Sequence, residues 1–587
     1  MNGSSGPETA LAADNISDRL RVSAARWPER AAVIVARHRR GRRVRERSVT
    51  FAELERQAGM LCAGLQRLGV VPGRRIVLMV RPGIEFIALT FALFRSGATV
   101  VLIDPGMGRT NIFQCLEEVE PDGYVAIPVV HVIRRLNSRR AAFRSARANV
   151  VVGPAIPGLG TPLRRLLTAQ SPSDAPTAEA SPGKAGSHPA AIIFTSGSTG
   201  PPKGVVYEHG MFGAQVDLIQ QQYGIQPGEI DLPGFPLFGL FNAAMGVTTV
   251  VPDMDPTRPA LVDPERIIDA IRDYGVTQAF GSPAFWNRVG RHCEERQITL
   301  PTLRRALSAG GPVPNHVLER MSRILTGDGA DLFTPYGATE SLPVASIGAR
   351  EALSTTAEET RRGAGTCVGR AFPSVEIRIL PITDGPIAHI DDLPPLPPGE
   401  IGEIVVRGPA VTREYFQKPE ATRLSKVDDP RPFPGDDRPS VWHRIGDVGA
   451  LDDDGRLWFC GRKAHIVEAA AGRMHSVCCE AIFENHPRVY RAALVGLGPR
   501  GAQRPVLIAE PQAGEFPATP ADETRLRNEL LELGRSSGLT SSINTILFHP
   551  SLPVDTRHNV KIQREALAAW AAGRVEANDG PVAGPNV

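Results

Sequence analysis

The chain has 587 residues, too many for one ordinary domain, so at least two are expected. Hydrophobic residues make up 42% and charged residues 22%, a globular balance rather than a disordered one. With 66 basic and 63 acidic residues the net charge is +3, and no basic stripe interleaved with aromatics stands out, which argues against a nucleic-acid partner.

Residues 1–12 are expected to be disordered. They carry neither the charged start nor the apolar run of a signal peptide. DRLRVSAARWPERAAVIV then reads as a helix followed by a strand. In SVTFAELERQAGMLCAGLQRLGV a strand leads into an amphipathic helix capped by Thr50. RRIVLMV, TVVLID, YVAIP and NVVVG are short apolar runs between helical stretches, an alternation that predicts parallel sheets with helices on both faces. Residues 170–189 form a Ser/Pro/Ala-rich loop. A second alternation runs through TQAFGSP, RALSAGGPVP and DLFTPYGATE. From about 400 to 460 the runs look antiparallel, with a hairpin turn at Asp454-Gly455. After Gly461 a small α+β unit follows and ends in a helix, with the last residues disordered.

Cys62, Cys115, Cys293, Cys367, Cys460, Cys478 and Cys479 are scattered, with no C-x-x-C pair, as expected for reduced thiols in the cytoplasm. Leu232 to Pro252 is uncharged over a membrane-spanning length, but its prolines and glycines favour a buried, pocket-lining segment over a membrane element. No amphipathic basic helix is evident.

The stretch IIFTSGSTGPPKGVVYEHG (192–210) carries the first chemistry. A strand end runs into Thr195, Ser196, Gly197, Ser198, Thr199 and Gly200, then two prolines and Lys203. Four hydroxyls, exposed backbone N–H groups and one ammonium make a loop that wraps an anion. A Walker A loop is excluded, because its lysine follows glycine and opens a helix. A flexible linker is the alternative.

Four further pieces stand in order behind it: SAGGPVP (308–314), TPYGATE (334–340), RIGDVGALDDDGRLWFCGR (444–462) and the lysine of DTRHNVKIQREAL (555–567). Together they resemble the adenylate-forming superfamily of acyl-CoA synthetases, luciferases and peptide-synthetase adenylation domains, over about residues 15–570. The resemblance implies an α/β fold, with two α/β sheets and a β-barrel-like subdomain in a large N-terminal domain (13–461), and a small mobile α+β lid (462–572), leaving 573–587 as a disordered tail. It implies ATP and Mg²⁺. Thr195 to Gly200 and Lys203 would hold the β- and γ-phosphates, and Glu340 with Thr195 would hold the metal. Gly310, Gly311 and Pro312 would leave room for adenine, with Tyr336 stacked on it beside Gly337 and Thr339. Asp447 would accept from the ribose hydroxyls near Arg462, and Lys561 would reach the α-phosphate and acyl oxygens. Val560 replaces the glycine that usually precedes that lysine.

Departures concern the second half-reaction. The lid hinge reads GRKAHIV, with Ala464 where Asp or Lys is usual. The pocket gate reads Pro236-Leu237-Phe238-Gly239, and the glycine either opens space for a branched acyl group or makes a turn. YGATESLPVASI, FPLFGLFNAAMGVTTVVPDMDPTRPA and PVDTRHNVKIQREAL resemble the β-lactone-forming branch of bacterial long-chain olefin biosynthesis. That resemblance implies a lipid substrate, a 2-alkyl-3-hydroxy fatty acid, in a pocket that includes Phe235, Phe238, Gly239 and Phe241. It also implies thiolase-like, reductase and decarboxylase partners, and leaves peripheral membrane contact open. A long-chain acyl-CoA or acyl-carrier ligase is the alternative activity, and a non-catalytic acyl-binding protein the alternative class. His209 and His558 are weak candidates for a general base, with His209 read as structural.

Overall fold

The computed structural model describes residues 15–39, 42–168, 185–195, 201–434, 436–554 and 561–578. Residues 1–12, most of the loop at 170–189, the loop residues Ser196 to Gly200, His558 and Val560, and the chain after 578 lie outside the described residues.

Apolar runs bounded by turns become two sheets. The first has seven strands, in the order Thr161–Pro162, Ala148–Val151, Gly123–Ala126, Arg75–Met79, Thr99–Ile103, Pro189–Thr195 and Lys203–Glu208. All neighbours are parallel except the last pair, an antiparallel hairpin. Thr99–Ile103 is buried at every residue, as a parallel strand covered on both faces requires. The helix Phe51–Arg67 starts where the sequence places it. Thr50 accepts from the Glu53 N–H while the Glu53 carboxylate accepts from the Thr50 N–H.

The second sheet has fourteen strands. Its first half is parallel through Thr248–Val251, Ile230–Pro233, Gln278–Gly281, Arg305–Ser308 and Asp331–Ala338. From Ser341–Gly348 onward it turns antiparallel and includes Pro439–Leu451 and Arg456–Arg462, joined by the turn at Asp454-Gly455. The strands expected as a barrel-like subdomain thus continue the second α/β sheet. Leu232 to Pro252 is two short strands, Ile230–Pro233 and Thr248–Val251, linked by an irregular loop and a short 3₁₀ turn. No helix among the described residues is long and apolar enough to cross a membrane.

The small C-terminal unit has a three-stranded sheet of Val489–Leu497, Arg504–Pro511 and Thr545–Phe548, packed with the helices Ser476–Phe483, Pro520–Arg535 and Arg564–Asn578. The last helix corrects the expected tail at 573–587. Leu567, Ala571 and Val575 repeat every four residues and bury against Val495, Val506 and Ile508, which carries the helix on to Asn578. Two smaller boundaries also move. The loop expected to reach residue 189 gives way to a 3₁₀ turn at Ala185–Ser187, and Pro189 opens the next strand.

Candidate active site

The two sheets and the small domain meet around a continuous cavity of about 2480 Å³. At one end the hairpin of the first sheet pairs Thr195 with Lys203, and Lys203 lines the cavity. Lys203 lies 5.0 Å from the ring centroid of Tyr415. The Tyr415 hydroxyl donates to Glu340 Oε1 at 2.6 Å. Glu340 sits in the turn between Asp331–Ala338 and Ser341–Gly348, and its carbonyl accepts from the Thr412 N–H and hydroxyl, at 2.9 and 3.0 Å. The Thr339 carbonyl accepts from the Tyr207 hydroxyl. The backbone that aims Glu340 is therefore held on both sides.

Asp447 stands on Pro439–Leu451 and is almost fully buried. Burial raises its pKa, while Arg462, the Tyr336 hydroxyl and Lys561 act to lower it. Tyr336 donates to Oδ2 at 2.6 Å. Burial and the Asp447 charge keep that phenol protonated. Oδ1 lies 3.1 Å from Arg462 Nη1, an ion-pair distance without hydrogen-bond geometry, and has no hydrogen-bond partner. A buried carboxylate oxygen left open beside a cation suits the vicinal hydroxyls of a ribose. Gly310, at φ +99°, Gly311, Pro312 and Gly337 line the same end and leave a slot free of bulky side chains.

The strand under Asp447 is anchored by a buried ion pair. Arg444 donates to Glu403 at 2.6 Å, both side chains 3% exposed, and also to the carbonyls of Thr383, Gly385 and Leu424. Lys463 at the hinge reaches the same Glu403 carboxylate at 3.3 Å, tying the start of the small domain to the strand.

Lys561 comes from the small domain and lines the cavity near enough to Asp447 to lower its pKa. Its segment is fixed three residues on, where Arg564 makes a bidentate pair with buried Glu480 at 2.8 and 2.7 Å. The structure thus brings Lys203, Glu340, Thr339, Tyr336, Asp447, Arg462 and Lys561 into one cleft.

Three residues that sequence reasoning missed belong to the same cluster. Tyr415 orients Glu340. Lys426 is buried behind it, its Nζ donating to Thr412 Oγ1 at 3.2 Å, and burial pushes its pKa down to about 7. His443 is buried nearby and held neutral by burial and the Lys426 charge. None lies in a distinctive local pattern, because each reaches the site from a separate strand or loop.

The other end of the cavity is apolar. Phe238 stacks on Phe280 at 3.9 Å and tilts against Phe235 at 5.6 Å, while Phe241 packs on Phe212 at 4.9 Å. Of the two readings of Gly239, the structure shows the turn. A Cβ there would lie 2.4 Å from Pro233 Cγ, so the glycine lets the loop pack on its strand rather than opening acyl space. A buried polar cluster lies behind that loop. Asp231, pushed up to about 7 by burial, accepts from Asn242 at 2.6 Å, and Asn242 also donates to Thr249 at 3.1 Å. His209 is 2% exposed, edge-on to Phe94, and does not line the cavity, as its structural reading expects.

The cleft brings together a buried carboxylate with one unsatisfied oxygen, cations from both domains and an apolar pocket. The chain belongs to the AMP-binding enzyme family, whose model matches residues 20–416. It is 45% identical over 526 residues to the olefin β-lactone synthetase of Xanthomonas campestris pv. campestris, covering 89% of this chain and 91% of that one. It is 43% identical over 565 residues to the olefin β-lactone synthetase of Stenotrophomonas maltophilia, covering 96% and 99%. Among solved structures, the amide bond synthetase McbA of Marinactinospora thermotolerans shares the fold, with a TM-score of 0.73 and 24% identity over 95% of this chain and 99% of that one.

Proposed function

We infer that this chain is an ATP-dependent, AMP-forming ligase that closes β-lactones. Its substrate is a long-chain 2-alkyl-3-hydroxyalkanoic acid of bacterial olefin biosynthesis. The observation that carries the reading is the 43–45% identity to two olefin β-lactone synthetases, which extends over the lid and the acyl end as well as the nucleotide motifs.

In the first step a carboxylate oxygen attacks the α-phosphorus of ATP, and the bond to pyrophosphate breaks. Asp447 and Tyr336 orient the ribose, and the hairpin from Thr195 to Lys203 holds the phosphates. Lys561 places its ammonium against charge that builds on the α-phosphate, an effect worth several kcal/mol in a dry site, about 3–4 for a single donor. In the second step the 3-hydroxyl oxygen attacks the acyl carbon. The carbon–oxygen bond to AMP breaks, and the hydroxyl proton leaves to base or solvent. Holding hydroxyl and anhydride in one pocket supplies the intramolecular advantage.

Mg²⁺ suits this site. Glu340 presents one carboxylate with an oxygen not engaged by Tyr415, and the described residues contain no group of three or more acidic, His or Cys ligands. A single carboxylate supplemented by phosphate oxygens is the usual way a protein holds this ion. Mg²⁺ would neutralise phosphate charge there, with Thr195 as a further oxygen donor. Thiolase-like and reductase enzymes would supply the substrate, and a decarboxylase would consume the lactone.

The test is a product assay. The full chain is incubated with ATP, Mg²⁺ and the hydroxy acid, with and without coenzyme A, and unheated lipid is read by proton NMR. A β-lactone and AMP without thiol are expected. A thioester that forms only with coenzyme A would return the chain to the acyl-CoA ligases.

A further inference from the structure

Most exposed side chains on this protein are polar, and the exceptions are not evenly spread. Ten large hydrophobic residues are exposed among the described residues, and four of them, Val129, Val132, Leu136 and Ile156, lie within one 28-residue stretch. Val129, Val132 and Leu136 are 55%, 39% and 80% exposed and follow helical spacing along one face of the helix Pro128–Leu136. Ile156, at 43%, sits on the loop beside it. That loop is tied to the helix where Arg134 and Arg135 donate to the carbonyls of Leu159 and Gly158, both at 2.8 Å. The four residues therefore form one apolar patch rather than scattered exposures.

The surroundings of the patch are strongly basic. From Pro128 to Gln170 there are eight arginines and no acidic residue, against a net charge of only +3 for the whole chain. Arg135, Arg139, Arg140, Arg144 and Arg147 are exposed. Two of them are partly spoken for. Arg140 pairs with Glu117 at 2.6 Å, and Arg144 approaches Glu120 at 4.0 Å. Those are the acids that reach this surface from the preceding helix Arg109–Val119 and its end, so the patch remains positive overall. The inner face of the same helix behaves differently. Val130 and Ile133 line the cavity, with Phe113 and Phe143. One helix thus separates the cavity from an apolar, arginine-rimmed outer surface.

We propose that the helix Pro128–Leu136 and the arginines after it dock on an anionic lipid bilayer, so that long-chain substrate reaches the cavity from the membrane. Apolar residues at the centre of a cationic rim fit a lipid interface, where hydrocarbon and anionic headgroups lie within one helix diameter. A nucleic acid would satisfy the arginines and leave the apolar residues against water. The access role rests on the lipid-substrate reading of the site, whereas the docking itself does not.

The experiment measures sedimentation of the full chain with vesicles of pure phosphatidylcholine and with vesicles of equal phosphatidylcholine and phosphatidylglycerol. Binding is expected only to the anionic vesicles. Arg135→Glu with Arg139→Glu should weaken it by roughly tenfold or more, since each arginine near such a surface contributes about fivefold. Val132→Asp with Leu136→Asp should weaken it similarly. Both pairs are exposed, and unchanged circular dichroism would show that they fold. Lactone formation from detergent-dispersed substrate should be unaffected, while turnover of substrate presented in anionic vesicles should fall. Equal binding to both vesicle types, or variants that bind like the parent, would overturn the proposal. So would duplex DNA competing the protein off vesicles with no effect of the aspartate variants. Vesicle binding without any lactone product would instead leave the docking standing and remove the function.

Discussion

The two ends of the cavity are built on different principles. At the nucleotide end the two carboxylates have named partners at 2.6–3.1 Å: Tyr336 and Arg462 on Asp447, and Tyr415 on Glu340. At the acyl end the contacts are ring against ring, such as Phe238 on Phe280 at 3.9 Å, and any large apolar residue of similar shape would serve. The first end needs particular atoms at particular places and so leaves compact motifs. The second needs volume, and its lining comes from positions as far apart as Phe212 and Phe280. Adenylation is consequently easy to read along the chain, while the fate of the adenylate is written in the less legible half.

The largest expected effect strikes the scaffold of the nucleotide end. Arg444→Ala leaves Glu403 buried with only Lys463 beside it and takes the Arg444 donor from the carbonyls of Gly385 and Leu424. Removing one partner of a buried pair typically costs about 3–5 kcal/mol, and urea denaturation should show a loss of that size. Lys561→Ala separates chemistry from stability. The residue is exposed, so the unfolding midpoint should hold, while pyrophosphate release should drop by about 10²–10³ as for loss of a single transition-state donor.

A comparable effect on the acyl side depends on pH. His209 sits behind Phe94, which stacks on Phe241, and burial together with repulsion from His188 lowers its pKa to about 4. An unfolded histidine protonates near 6.5. Between pH 6.5 and 4 the unfolded chain therefore binds a proton that the folded chain refuses. The stability that neutral His209 permits is complete above 6.5 and is lost as pH falls toward 4, by about 3 kcal/mol at the limit. Denaturation of wild type and His209→Gln at pH 7.5 and 4.5 should show wild type losing ground at the lower pH. Equal losses would disconnect His209 from acid sensitivity. The smallest effect is expected for Gly239→Ala, where the added methyl meets Pro233 and should cost about 1–3 kcal/mol by overpacking, while ATP–pyrophosphate exchange survives.

Legibility followed the same division. Thr50 could be read as a cap because a capping box is local, and the turn at Asp454-Gly455 because its residues demand it. The nucleotide-end residues Lys203, Tyr336, Asp447 and Lys561 do meet in one cleft, each having been proposed from an ordered motif. Tyr415, Lys426 and His443 could not be found that way, since their meeting depends on strand pairing across the second sheet. PVVHVIRRL was equally opaque. Its apolar residues share one arc of the helix with His131, Arg134 and Arg135 opposite, yet nothing local says that His131 is buried while Val132 and Leu136 face out. Gly239 stayed open between two readings for a related reason, because a missing side chain does not say in which direction the space opens.

The central claim is that the substrate's own hydroxyl, rather than a thiol, releases the nucleotide. The most direct measurement uses a 2-alkyl acid that lacks the 3-hydroxyl and follows pyrophosphate and AMP separately, with coenzyme A added midway. The account expects one equivalent of pyrophosphate per enzyme, an adenylate retained in the site, and no AMP burst when coenzyme A arrives. Sustained AMP release on adding coenzyme A, with a thioester accumulating, would contradict it.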